Sequence, residues 1–274
     1  MTKLKLPVTY LFVPGNRPER FDEALVSGAD AVIFDLEDAV SPHDKDLARA
    51  SVREWMERHR DAAPRVVVRI NDDTTPWFDA DLDLLRQVDA QFAMLPKAEG
   101  PEQIDVVRAV LPPQGLVLPL IETARGVHNV GAVASTPGVQ RLTFGTLDYA
   151  ADLDLSGDER GLIYPAARIA LASRYAGLAT PIAGVTAAID DETRLLADLA
   201  FGRAMGFGAK LCIHPRQVAV VRIALVPTAA EVDWAKRVLA ASEGADGAVQ
   251  VDGRMVDRPV VLKARAILDR TSTQ

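Results

Sequence analysis

Eight short apolar runs, each followed by a stretch of helical spacing, constrain this chain more than any other feature of its sequence. The runs are YLFV, AVIFDL, RVVVRI, FAML, LVLPLI, RLTFG, PIAGV and AKLCI. Rich in β-branched residues and too short for helices, they read as strands buried on both faces. Between them the spacing predicts helices over 18–27, 45–59, 77–88, 101–110, 125–134, 164–177, 190–206 and 215–225. Local punctuation agrees: Pro18 falls in a first turn, Gly28 follows the same helix, Asp190 is placed to cap the seventh helix and Gly206 to stop it. Eight βα units predict a single closed (β/α)8 barrel of the α/β class. An open doubly wound sheet would use fewer strands and a glycine-rich first turn, and no G-x-G-x-x-G follows YLFV. The barrel is expected over 1–227 and a helical extension with a lid segment over 228–274. In that extension a helix over 229–242 is followed by the composition shift ASEGADGAV. Next comes a mobile stretch, VQVDGRMVDRP, whose Asp252-Gly253 pair favours a tight turn, and then a last helix through Ala264 and Leu268.

Composition narrows the partners. The chain has 274 residues, 49% of them apolar, enough for a real core. Asp and Glu outnumber Lys and Arg by 38 to 31, a net charge of −7, which predicts no nucleic-acid and no membrane-surface partner and requires a local basic patch for any anionic ligand. Cys212 is the one cysteine, which excludes an internal disulfide and a thiolate-rich zinc site and reads as a small buried residue in a reducing compartment. The first thirty residues lack a signal-peptide core and no 18 apolar residues run together, so a soluble, cytoplasmic protein is expected.

In such a barrel the loops at the carboxyl ends of the strands build the active site, so polar residues just after the apolar runs matter most. They are Arg17, Glu37 and Asp38, Arg69 and Asn71, Lys97, Glu122, Asp148 and His214. Glu122 and Asp148 end adjacent predicted strands and can converge on a hard cation such as Mg²⁺, or else cap helices or pair with arginines. Arg69 suits a substrate oxyanion or a structural ion pair with Glu37 or Asp38. Lys97 is better suited to an ion-paired scaffold than to a Schiff base, because the surrounding carboxylates raise its pKa. Glu37 and Asp38 form either a general acid/base pair or a support for Lys97 and Arg69. His214 reads as a capping residue. Arg17, after a glycine turn, suits either phosphate or solvent.

The segments LFVPGNRPERF, AVIFDLEDAV, VVVRIN, LPKAE, PLIETARGVHN, FGTLDYAADL, GFGAKLCIHPRQV and DGRMVDRPV occur in order along nearly the whole chain. In these segments the chain resembles the citrate lyase β-subunit-like family of hydroxyacid-CoA aldolases, relatives of malyl-CoA lyase in the phosphoenolpyruvate/pyruvate barrel superfamily. The resemblance implies a Mg²⁺-dependent lyase that makes or breaks the bond between a short 2-oxo acid and the methyl carbon of acetyl-CoA, with malyl-, citramalyl- or citryl-CoA as the joined form. It implies Glu122 and Asp148 as metal ligands and Arg69 as the arginine that holds the oxyanion. Asp257 would be an acid/base supplied from a neighbouring subunit of a trimer or hexamer, and Arg17 and Arg20 would contact the CoA phosphates. An acyl-carrier-protein thioester, thioester hydrolysis and a non-catalytic CoA- or oxo-acid-binding barrel are the alternatives. Thr146-Leu147 stands where members often have Ala-Glu, and Asp154 where they often have Gly.

Overall fold

The computed structural model describes residues 6–243 and 247–271. They form two compact units, one of Pro7–Val221 and one containing the chain from Arg222 onward. The first is a closed barrel of eight parallel strands in sequential order. They are β1 (Thr9–Pro14), β2 (Ala31–Asp35), β3 (Val66–Arg69), β4 (Phe92–Leu95), β5 (Leu116–Ile121), β6 (Thr143–Phe144), β7 (Ile182–Ala183) and β8 (Ala209–Cys212). Pairing of β8 with β1, Cys212 opposite Leu11, closes the ring.

Strand parity sorts the side chains. Tyr10, Ile33, Val67, Met94, Leu118 and Leu211 belong to one buried cluster, the barrel interior. Residues of the other parity face the helices: Phe34 stacks on Phe21, with centroids 4.1 Å apart, and meets Trp55 edge-on. A period of two residues carries the inward set on through Asp35 and Arg69, so the layer above the apolar core is charged.

The helices are α1 (Phe21–Val26), α2 (Lys45–Arg58), α3 (Phe78–Gln87), α4 (Pro101–Val110), α5 (Ala124–Ser135), α6 (Thr146–Asp152), α7 (Ile163–Tyr175), α8 (Glu192–Ala204) and α9 (Pro215–Leu225). Pro18 opens a short 3-10 turn before α1, and Gly28 and Gly206 follow their helices with φ of +87° and +94°. Two expectations are corrected. Asp191, not Asp190, caps α8 by accepting from Arg194 N–H, while Asp190 pairs with Arg216. The two-turn helix α6 was not expected. It places Asp148 inside a first helical turn rather than directly after a strand.

In the second unit α10 (Ala229–Ser242) packs against α11 (Arg258–Thr271), with Val238, Val256 and Ile267 in its core. The stretch expected to be mobile is an antiparallel hairpin of β9 (Val249–Val251) and β10 (Arg254–Val256). Its two-residue turn has Asp252 at φ +51° and Gly253 at φ +74°, as a type I′ turn requires. Residues 244–246 of the composition shift lie outside the described residues. No helix among the described residues is long and apolar enough to cross a membrane.

Candidate active site

A cavity of about 370 Å³ opens at the carboxyl ends of the strands and is lined by Asp38, Arg69, Glu122 and Asp148 together with Phe12 and Gly145. Arg69 is its fixed cation. Nε and Nη2 donate to the two oxygens of Asp35 at 2.7 and 2.6 Å, Nη1 lies 2.7 Å from Glu37 Oε2, and Asp38 is 3.8 Å away. The guanidinium also sits over the Phe12 ring, 4.7 Å from its centroid. Burial pulls its pKa down, but the charges of Asp35 and Glu37 outweigh burial and hold it above the ordinary arginine value. Asp35 is pinned in turn, accepting from the N–H groups of Glu37 and Ala39.

Lys97 bridges Glu37 and Asp72 at 3.0 and 3.1 Å. Burial lowers its pKa, and the two carboxylates more than reverse this, so the ammonium keeps its proton. An ammonium held in this way suits an ion-paired scaffold, whereas a Schiff base needs a neutral amine. The backbone of Lys97 has φ +45°, and in that conformation its N–H donates to Glu122 Oε1 at 2.9 Å.

Glu122 continues the inward parity of Leu118 and Leu120 and is 2% exposed. Among the described residues no cationic side chain lies within ion-pair distance of it or of Asp148. Burial, then the like charges of Glu37 and Asp148, push the Glu122 carboxyl up to about 8. Gly145 makes room for it, since a Cβ there would lie 2.6 Å from Glu122 Cβ and collide with Oε2. A buried carboxylate with no ion pair among the described residues, beside a second carboxylate, is an oxygen donor pair that fits a hard divalent cation. Two protein carboxylates would leave a cation's other positions to water and substrate.

Behind this layer is a buried network of which the sequence pointed only to Asn71. Lys45 Nζ donates to the carbonyls of Leu36 and Glu37 at 2.6 and 2.8 Å and to Asn71 Oδ1 at 2.7 Å. Asn71 Nδ2 donates to Asp81, which Arg49 holds from the other side at 2.9 Å. Asn71 therefore faces away from the cavity and ties the β2 and β3 loops together. The missed Asp35 had a signal, its parity with Ala31 and Ile33. Lys45, in SPHDKDLA, had none, since such a segment reads as a solvated helix start.

The remaining expected residues separate. Arg17 and Arg20 are exposed after β1 and do not line the cavity. His214 Nδ1 accepts from Arg216 N–H at the start of α9, a capping role. Cys212 is buried and its thiol is pushed up to about 12 by burial. Asp257 lies in the second unit and accepts from Val260 N–H at 3.4 Å. Asp154, standing where relatives by resemblance have Gly, holds φ +50°.

The profile of the HpcH/HpaI aldolase/citrate lyase family matches residues 9–215. The chain belongs to that family. A citrate lyase subunit beta-like protein of Deinococcus radiodurans is 37% identical over 94% of this chain and 95% of its own. A (3S)-malyl-CoA thioesterase of Cereibacter sphaeroides is 34% identical over 94% and 92%. Among solved structures, CitE of Mycobacterium tuberculosis in complex with magnesium, acetoacetate and coenzyme A superposes with a TM-score of 0.85 at 34% identity, covering 96% of this chain and 97% of that one. In this HpcH/HpaI aldolase/citrate lyase member, Arg69, Glu122 and Asp148 line one cavity.

Proposed function

We propose that the chain is a Mg²⁺-dependent carbon–carbon lyase that cleaves a short 3-hydroxyacyl-CoA, such as malyl-, citramalyl- or citryl-CoA, to a 2-oxo acid and acetyl-CoA, or runs the condensation. The observation that carries this is the buried Glu122, in no ion pair among the described residues, beside Asp148 in the same cavity as Arg69. When bound by these two carboxylates, Mg²⁺ supplies Lewis-acid polarisation of the substrate's carboxylate and hydroxyl oxygens. In cleavage the hydroxyl loses its proton and becomes the oxo group, and the electron pair of the breaking bond passes to the thioester as an enolate. Arg69, locked by Asp35 and Glu37, still has N–H groups to offer and places positive charge where the enolate oxygen develops, a contribution of about 3 kcal/mol for a donor of this kind. Asp257, from a neighbouring subunit of a trimer or hexamer, would protonate the enolate carbon. Arg17 and Arg20, exposed after β1, would hold CoA phosphates.

The relative named a malyl-CoA thioesterase supports a second reading, hydrolysis of the thioester. One experiment separates them. The three CoA esters are incubated with enzyme and Mg²⁺, and 2-oxo acid, acetyl-CoA and free thiol are quantified. We expect 2-oxo acid and acetyl-CoA in equal amounts, abolished by EDTA. Free thiol with the hydroxy acid intact identifies a thioesterase instead, and turnover only of acyl-carrier-protein thioesters moves the chain to the citrate lyase subunit class.

A further inference from the structure

Beside the catalytic cavity lies a second one of nearly equal size, about 380 Å³, between the barrel wall and the helices α7 and α8. Phe144 and Ala183 form its inner side, Ala166 and Phe201 its outer side, and Ala150 and Leu155 its upper wall. Thr146, Leu147 and Val185 line both cavities, so they form the partition between them. Leu147 is 54% exposed.

The charged side chains at the rim of this annex are paired. At its rim Arg194 pairs with Glu159 at 3.0 Å and Asp198 at 2.8 Å, and Thr186 donates to Asp198. Lys210 has the parity opposite to Ala209 and Leu211 and reaches into the wall, where its ammonium donates to the carbonyls of Gly184 and Leu211. With its polar groups engaged and its walls aliphatic and aromatic, the annex selects an apolar occupant. Its place fixes which part of a substrate that is. Asp148 follows the partition residues directly in sequence, whereas Arg69 stands on β3, four strands round the ring from β7. The metal-binding half of the substrate therefore lies against the partition and the thioester half lies away from it.

We infer that the annex receives an aliphatic chain carried on the hydroxyl-bearing carbon, so that the 2-oxo acid made or consumed has a straight apolar tail. This rests on the lyase reading above and replaces the short acids named there with a longer one. The bond change is the same: the carbon–carbon bond breaks, its electron pair passes through the enolate to a new C–H bond of acetyl-CoA, and the hydroxyl proton is released as the oxo group forms.

The test compares 2-oxooctanoate with pyruvate as partners of acetyl-CoA and Mg²⁺, in the full chain and in Ala150→Phe and Ala166→Leu, which fill the annex. Ala150 is half-buried on the short helix α6, so its variant keeps the test open if the buried Ala166→Leu does not fold. We expect wild-type kcat/KM to favour 2-oxooctanoate by about tenfold and each filled variant to erase that preference. Calorimetry supplies the second readout, with 2-oxooctanoate binding the Mg²⁺-loaded wild type more tightly than the filled variants. Pyruvate preferred by the wild type, or 2-oxooctanoate binding that the variants leave unchanged, overturns the annex while leaving the lyase reading intact. Annex-dependent binding without condensation of either acid supports the aliphatic site and overturns the lyase reading.

Discussion

Lys97 and Lys210 both bond to oxygen, but Lys97 faces the carboxylates of Glu37 and Asp72 and Lys210 faces backbone carbonyls. Burial therefore dominates at Lys210 and pulls its pKa down from 10.5 to about 8. Between those values the unfolded chain carries a proton that the folded protein has shed, so this residue adds stability as pH rises from about 8 to 10.5. Below that window the folded protein carries a buried charge at a cost of up to about 3 kcal/mol. Cys212, pushed up to about 12, acts in the opposite direction above its ordinary value, so the comparison must be made against a variant that keeps it. We predict that the unfolding free energy of the wild type relative to Lys210→Met, measured by urea melts, climbs across pH 8 to 10.5. A difference that stays flat would show that Lys210 is not held neutral by burial. At this scale the sequence pointed to the cavity where Arg69 and Glu122 close apolar runs, although it passed over Asp35. It was silent at Lys45, where burial alone sets the role, because a charged letter at a helix start does not announce that it lies inside.

At the scale of elements, the corner from β6 into α6 carries the site. The strand has only two residues, and Gly145 follows with no Cβ, letting Glu122 pass close behind the chain before Asp148 turns in on the first helical turn. Gly145→Ala should therefore displace the Glu122 carboxylate. We predict a loss of about tenfold or more in Mg²⁺ affinity by calorimetry with the barrel's circular dichroism retained, and unchanged affinity would remove Glu122 from the ligand set. The eight strands were readable because both faces are buried and the runs are continuous. α6 was not, because TLDYAAD spans less than two apolar repeats and ends near Asp154 in the left-handed region, without the glycine that usually signals a stop. The hairpin turn was visible in Asp252-Gly253, but its three-residue strands are too short to show alternation.

At the scale of the molecule, the catalytic cavity and Asp257 belong to different compact units. Our reading makes Asp257 complete the site of a neighbouring subunit, which gives a test that a single chain cannot pass. Asp257→Ala and Arg69→Ala should each be nearly inactive, and subunits exchanged between them should regain part of the wild-type rate, because some sites then combine two intact residues. Verified mixed oligomers without activity exclude the arrangement between subunits, and wild-type turnover by Asp257→Ala removes the catalytic role. The buried, proton-holding thiol of Cys212 has a practical consequence for such work. As the chain's one cysteine, and one that maleimides will not find, it leaves the surface chemically blank. A cysteine introduced on the β9–β10 turn of one variant and another on the barrel rim of a second can each carry a single dye. Subunit exchange and the approach of one unit to its neighbour then become a distance signal, read without a cysteine-free background having to be engineered first.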